Sequence, residues 1–502
     1  MKRITSVLFA AALLLAPAAS PRAADSTITI SQGVDTDTLN PLTSTITTTF
    51  NVVGCVYERL FDRGATPTQL QPALAVSWRR VDLYTEEYRL RRGVRFSNGD
   101  PFTSADVRYS VDWIKNPANR SQQIAYVRDV DRVETPDPYT VRFISRTQTA
   151  IPPGQTTPIF IVDAKYFESK GGAYATEHPV GTGPYVVREW KRDDALILDA
   201  NPSWWGGKPG IEHVTFKPIQ EAGTRVAALR TGAVDLITNV PYQNQIQIVG
   251  SRDTKLLSVR SLRQLFIGFN TMQPGPQQNK LVRQAVNYAV DVGAIVKNVV
   301  GGRGFESTSV VPANYVGYDP AVAPYKHDLR KAKALLAQAG FPDGKGLSFV
   351  LNTPNGRYNR DREVAEAIAG QLQAAGIATT VRPQEWFSYY NQLTRRAETP
   401  MYLLGWAVAA ADADNIFTAL LNSDGPLSTY ANPEVDRLTV QARAELDPRR
   451  RLKLYSQLAT IVHDDAAWIP LFQYEDLYGA SKRLQWQPRG DERIRPWEMS
   501  LK

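Results

Sequence analysis

Residues 73–107 read ALAVSWRRVDLYTEEYRLRRGVRFSNGDPFTSADV, a strand-like stretch that leads through two turns into a helix start. Gly93 and Gly99 supply the backbone conformations that tight turns need. Thr103 or Ser104 can cap the following helix, and Asp106 falls in its first turn, where a carboxylate is favoured. The stretch therefore predicts a structural frame of strand, turns and capped helix.

The whole chain has 502 residues, which is too many for one hydrophobic core, because single cores stop growing at about 250 to 300 residues. Hydrophobic residues make up 43% and charged residues 22%, the composition of an ordinary globular protein. We therefore expect the chain to fold into two or more lobes.

The N-terminus predicts export through a cleaved signal peptide, residues 1–24. Lys2 and Arg3 precede the short apolar run Val7–Leu15 and a series of small residues. This run is shorter than the roughly 20 residues that span a bilayer. Cleavage is expected between Ser20 and Asp25, and the mature chain is expected to be soluble.

Cysteine usage and charge exclude several classes of protein. Cys55 is the single cysteine and lies well past the signal, so it is neither a lipid-anchored first residue nor half of an internal disulfide. We expect a buried, inert thiol. The net charge of +8 is spread along the chain without a basic arm, so no nucleic acid is expected as a partner.

Hydrophobic periodicity predicts an α/β fold. The first half is strand-rich, with alternation in Ser26–Ile30 and Tyr139–Ile144. Later helices end at Gly340 and Gly376, which fit the position after a helix C-terminus. Strands and helices then alternate: strands Leu347–Leu351, Ile377–Val381, Met401–Leu404 and Trp468–Phe472, with helices Glu385–Arg396, Glu434–Leu446 and Pro448–Asp464.

No catalytic motif, metal site or cofactor site is predicted. The segment GFPDGKG at residues 340–346 departs from a phosphate-binding loop in both spacing and final residue. The four histidines are isolated in sequence, which argues against a zinc site. His327-Asp328 and His463-Asp464 resemble the His-Asp pair of histidine acid phosphatases, but the RHG motif of that family is absent. A secreted hydrolase or phosphatase is the weaker alternative.

Residues 73–107 resemble the signature block of the family 5 extracellular solute-binding proteins, the superfamily of oligopeptide, dipeptide and nickel receptors. Shared features are the Leu-Ala-x-x-Trp entry, the Arg-x-Gly-Val-x-Phe-x-x-Gly turn and the Thr-x-x-Asp-Val helix start. Five further blocks match in the family's order: LNP (39–41), VYERLF (56–61), PVGTGPY (179–185), ALRTGAVDLI (228–237) and VRQAVNYAVD (282–291).

This resemblance implies an α/β, two-lobed periplasmic-binding-protein fold of type II, cluster C, with an extra small subdomain in lobe I. Lobe I would comprise residues 25–265, including the subdomain at about 55–178, and the returning segment 477–502. Lobe II would be residues 266–476, with crossings near Gly268–Asn270 and Gln473–Tyr478. The implied function is the periplasmic, monomeric component of an ABC importer that delivers a peptide or peptide-like solute to permease and ATPase subunits.

The resemblance also indicates where the solute would bind. Peptide-binding members anchor the ligand ammonium with an Asp shortly after a Gly-Trp pair, here Gly405-Trp406, but Ala409 stands at the expected position. Asp412 or Asp414 can take its place. Asp414 also fits a helix N-cap, and Asp412 is either a ligand contact or solvated. An amino-terminal clamp is therefore in doubt, and an opine or another solute is an alternative.

Arg357 lies one position from the place where dipeptide binders pair an Arg with the ligand carboxylate. Its guanidinium can grip a carboxylate with two hydrogen bonds, although a solvated loop arginine is the alternative. Tyr358 and Trp386, with Trp406, are candidates for the pocket wall, and Trp386 fits core packing as well.

The threonine-rich run at residues 44–49 supplies the remaining candidates, Thr47 and Thr48. Their hydroxyls either bond the solute or cap the next helix. A nickel or haem receptor of the same fold is a further alternative, and the scattered histidines argue against nickel.

Overall fold

A computed structural model of the chain describes residues 26–64, 69–148, 158–396, 400–408 and 410–502. The predicted signal peptide and the position of Ala409 therefore lie outside the described residues.

The strands, numbered β1 to β19 in chain order, are Thr27–Gln32, Phe61–Arg63, Leu70–Pro72, Ala75–Arg80, Thr85–Leu90, Val130–Asp137, Thr140–Ser145, Tyr185–Lys191, Ala195–Ala200, His213–Pro218, Leu236–Ile237, Thr254–Phe269, Gly304–Glu306, Ser348–Pro354, Ala378–Gln384, Met401–Trp406, Trp468–Ser481, Leu484–Gln485 and Ser500–Leu501.

The α-helices are Thr47–Val56, Ser104–Lys115, Ile124–Val127, Ala164–Lys170, Gly172–Glu177, Ala222–Arg230, Gln245–Val249, Lys280–Ala289, Val292–Asn298, Leu329–Gln338, Asp361–Ala374, Trp386–Thr394, Asp414–Ile416, Pro433–Ala444 and Pro448–Asp464. A π-helical turn, Phe417–Leu421, continues the short helix Asp414–Ile416.

One mixed sheet of eleven strands runs through both lobes, in the order β15-β14-β16-β12-β17-β11-β1-β10-β9-β8, with β13 paired to β17. In lobe II, β14 pairs in parallel with β15 and β16, and in lobe I, β1 pairs in parallel with β10 and β11. Two large hydrophobic cores form, one in each lobe. The predicted α/β, two-lobed fold is confirmed.

Each strand or helix that the sequence periodicity predicted overlaps an element of the same type in the structure. The helix Pro448–Asp464 and the starts of β16 and β17 agree with the predicted bounds. Gly340 and Gly376 follow helix ends and both have φ of +89°, the left-handed conformation that glycine adopts without strain.

The crossing between the lobes is made by β12 and β17, which pair antiparallel through both lobes. Their register shifts between Arg260 and Gln264 and again between Leu265 and Phe266. The lobe I strand β11 pairs with β17 at Gly479 and Ala480, and the lobe II strand β16 pairs with β12 from Gln264 onward, so we place the crossing at the first shift, opposite Gln473–Glu475. The expectation of a crossing at Gly268–Asn270 is therefore wrong, because Gly268 pairs with β16 inside lobe II.

The register shift has a local cause that hydrophobic periodicity does not show. The backbone N–H of Arg263 donates to the Ser261 hydroxyl at 3.0 Å and not to a strand partner. A side chain that bonds a nearby backbone N–H competes with ladder hydrogen bonds. The bulge at this point changes the direction of the strand and of its side chains.

The signature stretch forms a separate sheet, β4-β5-β7-β6, and the start of the helix Ser104–Lys115 that packs on it. Thr103 caps this helix and forms a capping box, since its backbone N–H donates to the Asp106 carboxylate at 2.7 Å. Gly93 and Gly99 have φ of +77° and +93°. The predicted turns and helix cap are confirmed.

We predict that Gly181→Ala destabilises lobe I. A Cβ atom at Gly181 would lie 2.0 Å from the backbone oxygen of Val56, at the end of the helix Thr47–Val56, so the backbone must move. Overpacking of this kind costs about 1 to 3 kcal/mol, and a thermal melt should show a lower Tm.

Gly370→Ala is the matched control, because Gly370 is exposed in the helix Asp361–Ala374 and a Cβ there meets nothing within 4 Å. This change should raise the free energy of unfolding by roughly 0.5 to 1 kcal/mol. If the Gly181→Ala protein has the same Tm as the wild type, the close contact between Gly181 and Val56 is contradicted.

Candidate functional site

A cleft of about 1480 Å³, counting the part open to solvent, lies between the lobes beside the crossing. Lobe I contributes the start of the helix Thr47–Val56 and these further residues: Arg59, Asp62, Arg63, Ala125, Tyr126, Asp491 and Arg493. Lobe II contributes residues 357–358, the helix Trp386–Thr394 and the end of β16 with the loop and helix that follow it.

The structure brings together most of the predicted site residues. Arg357, Tyr358, Trp386, Trp406 and Thr47 all line the cleft. Asp412 also lines the cleft.

Thr48 is not among the described residues that line the cleft, and its hydroxyl is buried without a hydrogen-bond partner. Successive residues of a helix point about 100° apart, so Thr47 and Thr48 face different surroundings. The helix-capping alternative is wrong for both, since the helix begins after Ile46 without a side-chain cap.

Aromatic rings form the lobe II wall of the cleft. Trp386 lies 6.0 Å from Tyr358 and 5.2 Å from Tyr390 between ring centroids. Trp406 donates its indole N–H to Asn415 at 2.9 Å, which fixes the ring beside the cleft. The indole N–H of Trp386 is buried without a partner, so this ring offers both an apolar face and a free donor.

Arg357 is buried among these rings with little to neutralise its charge. Its guanidinium lies 5.0 Å from the Tyr358 ring and 5.4 Å from the Trp386 ring. Its ion-pair contact to Glu492 is long at 3.7 Å, and its Nε is buried without a hydrogen-bond partner among the described residues. Burial and the neighbouring Arg263 lower the pKa of Arg357. An anion bound beside Arg357 would offset both the cost of burying its charge and the repulsion from Arg263.

The sequence did not predict a role for Arg263, which forms hydrogen bonds to several separate segments around the site. From the bulge in β12 it donates two hydrogen bonds to Glu492, one of them at 3.0 Å. It also donates to the backbone oxygen of Gly405 at 2.7 Å and to the Thr47 hydroxyl at 3.2 Å. Although burial lowers it, the Glu492 carboxylate raises the pKa of Arg263 above its ordinary value.

The Asp412 carboxylate forms an ion pair with Arg451 inside lobe II. Both of its oxygens accept from Arg451 Nη2, at 2.7 and 2.8 Å, and Tyr455 donates to Oδ1 at 3.1 Å. Asp412 is only 8% exposed. Its carboxylate is therefore neither solvated nor free to anchor an ammonium group, as the sequence-based alternatives supposed.

The expectation that Asp414 is a helix N-cap is wrong. The N-cap position of the helix Asp414–Ile416 is Ala413, and the backbone N–H of Asp414 donates to Asp412 Oδ1 at 2.9 Å. Asp414 pairs with Arg443 Nη1 at 3.3 Å, and burial raises the pKa of its carboxyl. The Asp414 carboxylate is engaged by Arg443, so it does not act as the predicted N-cap.

The two lobes touch across the cleft mouth. Arg443 Nε of lobe II lies 2.6 Å from the Asp129 carboxylate of lobe I, and the hydroxyls of Thr45 and Tyr390 are 3.0 Å apart. We interpret these contacts as a closed arrangement of the two lobes.

Within the described part of the chain, no group of three or more His, Cys, Asp or Glu side chains is placed to hold a metal ion. Cys55 is buried and its thiol donates to the Asn51 backbone oxygen at 3.2 Å, as expected of an inert cysteine. None of the helices among the described residues combines the length and the apolar character needed to cross a bilayer.

Comparison with known proteins places this fold in a family. The sequence profile of the bacterial extracellular solute-binding proteins, family 5 middle, matches residues 69–427. Heme-binding protein A of Haemophilus influenzae is 30% identical over 447 residues, which cover 83% of this chain and 81% of that protein. Glutathione-binding protein GsiB of Escherichia coli is 27% identical over 470 residues, 91% of each protein.

Solved structures agree with the fold. The periplasmic binding protein DppA of Helicobacter pylori, in complex with the peptide STSA, superposes with a TM-score of 0.87 at 25% identity, covering 95% of this chain and 98% of that one. AgaA of A. tumefaciens R10, in complex with agropinic acid, gives a TM-score of 0.85 at 24% identity, with 95% and 99% coverage.

Two lobes, a double crossing and an enclosed cleft define a solute-binding protein of the periplasmic-binding-protein class. The chain belongs to the family 5 extracellular solute-binding proteins. Members of this family bind peptides or other small solutes and work with ABC permease and ATPase subunits, and this chain is the solute-binding component of such an importer.

We predict that Asp412→Asn destabilises lobe II. Removing one charge leaves Arg451 buried without its partner, a change that costs about 3 to 5 kcal/mol in other buried pairs. A thermal melt should show a clearly lower Tm.

Glu434→Gln is the control for that change, because Glu434 forms an exposed ion pair with Arg437 in the helix Pro433–Ala444. Exposed pairs contribute about 0 to 1 kcal/mol, so its Tm should stay near that of the wild type. Equal melting of the Asp412→Asn and Glu434→Gln proteins would show that Asp412 is not committed to Arg451.

Proposed function

We propose that this chain is a periplasmic receptor that encloses a peptide or peptide-like solute and binds the carboxylate of that solute with Arg357. The buried and nearly unpaired guanidinium of Arg357 is the observation that carries this proposal. Transfer of a charged group out of water is costly unless the charge is paired, so a cation held this way stabilises a bound anion.

The aromatic wall beside Arg357 supports a solute with amide or apolar groups. Trp386, Tyr358 and Tyr390 present ring faces, and the free indole N–H of Trp386 can donate to a carbonyl oxygen. Relatives support the same class: one of the similar structures holds a peptide, and one of the similar proteins is named for glutathione binding. Peptides and glutathione both combine amide groups with carboxylates.

The amino end of the solute is not held by a free carboxylate among the described cleft residues. Each of the four aspartates that line the described cleft already contacts an arginine: Asp62 with Arg495, Asp412 with Arg451, Asp414 with Arg443 and Asp491 with Arg489. Stranding a buried ammonium costs about 2 to 5 kcal/mol, so recognition should depend on the carboxyl end.

We infer that the chain acts as a monomer, in the periplasm after signal cleavage, and that it does not transform its solute. No histidine, cysteine or methionine is among the described residues that line the cleft, so the usual nucleophile partners and the softer metal ligands are missing from it. A nickel-binding role has no support in this site.

Native mass spectrometry of freshly purified protein, followed by a thermal-shift screen, tests the proposal. The screen should include tripeptides, glutathione, opines and haem. We predict that a peptide-class compound raises the Tm, because a ligand that binds the native state stabilises it. A rise with haem alone, or chemical conversion of the bound compound, would contradict the proposal.

Arg357→Gln should weaken binding of the best peptide by about 10-fold or more, since a hydrogen bond to a charged group contributes about 1.5 to 3 kcal/mol. Calorimetric titration measures this loss. Arg330→Gln is the control, because Arg330 is exposed on the helix Leu329–Gln338 of the same lobe. Equal affinities for the two variants would rule Arg357 out as the anchor.

A further inference from the structure

Two arginines on the lobe I wall of the cleft resemble Arg357 in lacking a matched carboxylate. Arg59 follows the helix Thr47–Val56, and Arg493 lies in the C-terminal segment. Both line the cleft, and both guanidinium groups lie over the ring of Phe50, at 5.6 and 4.5 Å from its centroid. Distant parts of the sequence thus place two cations beside one ring.

Both guanidinium groups keep buried hydrogen-bond donors without acceptors. Arg59 Nη2 and Arg493 Nη1 are each shielded from solvent and have no hydrogen-bond partner among the described residues. Arg59 otherwise contacts the Pro158 backbone oxygen at 3.4 Å and Asp62 at a long 3.7 Å. Arg493 forms no side-chain ion pair within the described residues.

The nearby carboxylates are already engaged by other arginines. Asp62 lies 2.8 Å from Arg495, and Asp491 lies 2.7 Å from Arg489. Asp62 and Asp491 also act on Arg59 and Arg493, but each carboxylate is shared with a nearer arginine, so the positive charge of this pair is only partly compensated. Burial and the charge of Arg493 lower the pKa of Arg59 to about 9, and burial lowers that of Arg493.

A pair of like charges held together in a buried wall is unfavourable on its own, because burial weakens hydration and the two cations repel. An anion between them would accept the free donors and remove the repulsion. Charge-assisted hydrogen bonds of this kind are among the stronger contacts in protein recognition. The arrangement is therefore that of an anion subsite on the lobe opposite Arg357.

We propose that the cleft selects a solute with two anionic groups, one bound by Arg357 of lobe II and the other by Arg59 and Arg493 of lobe I. This inference rests on the proposed function and names its substrate class: a peptide-like compound with two carboxylates. Such a solute bridges the lobes with a charged contact on each side, so it binds the closed form better than the open form and shifts the population toward closure.

Matched peptides test this inference. The probes are Ala-Ala-Ala scaffolds with Glu at each of the three positions in turn, each compared with its Gln counterpart, so that a pair differs by one charge at almost constant shape. Titration of the wild type should give at least one Glu peptide that binds about 10-fold or more tightly than its Gln partner.

The Arg493→Gln variant should bring the ratio of the Glu-peptide affinity to the Gln-peptide affinity close to one, which isolates the contact between Arg493 and the second carboxylate. Arg108→Gln, an exposed position on the helix Ser104–Lys115 of lobe I, should keep the preference.

The outcomes separate this inference from the proposed function. If Glu and Gln peptides bind equally in every pair, or if Arg493→Gln keeps the preference, the second anion subsite is wrong while the peptide receptor stands. If no peptide of either kind binds, the proposed function itself fails. The wild-type comparison decides the inference even if the Arg493→Gln protein does not fold.

Discussion

The buried guanidinium of Arg263 is the constraint on which the site depends. It sits where β12 crosses between the lobes and must have its charge satisfied away from water. Its partners are Glu492 of the C-terminal segment, the Gly405 backbone of β16 and Thr47 at the start of a lobe I helix. These contacts fix parts of both lobes around the crossing, and the cleft opens beside them.

The pairing of charges around the crossing also decides what the cleft can hold. Glu492 is paired with Arg263, and each described aspartate of the cleft wall contacts an arginine. Three cleft arginines remain without a matched carboxylate: Arg59, Arg357 and Arg493. A cleft with a positive surplus and saturated carboxylates complements a solute of negative charge, and the aromatic wall of lobe II adds a preference for groups with flat or apolar surface.

Local sequence patterns could predict much of the fold, since their causes are local. The capping box of Thr103 and Asp106 and the helix ends at Gly340 and Gly376 depend on neighbours a few residues away. The crossing point could not be placed this way, because a single Ser261 hydroxyl takes the N–H of Arg263 out of the ladder.

The candidate site was predictable only in part, for a related physical reason. The family resemblance located Arg357, Tyr358, Trp386 and Trp406 on the cleft wall. It could not show that Asp412 is taken by Arg451, whose position is 39 residues away in sequence and set by packing of the helix Pro448–Asp464. Nor could it show that the guanidinium groups of Arg59 and Arg493 both lie over the ring of Phe50.

Small-angle X-ray scattering, with and without the peptide-class compound that most raises the Tm, tests the central claim most directly. The account predicts that the purified protein, stripped of solute, samples a more open form, and that the compound reduces the radius of gyration toward the value calculated for the closed structure. Identical scattering curves in the stripped and saturated states would contradict closure of two lobes over a captured solute.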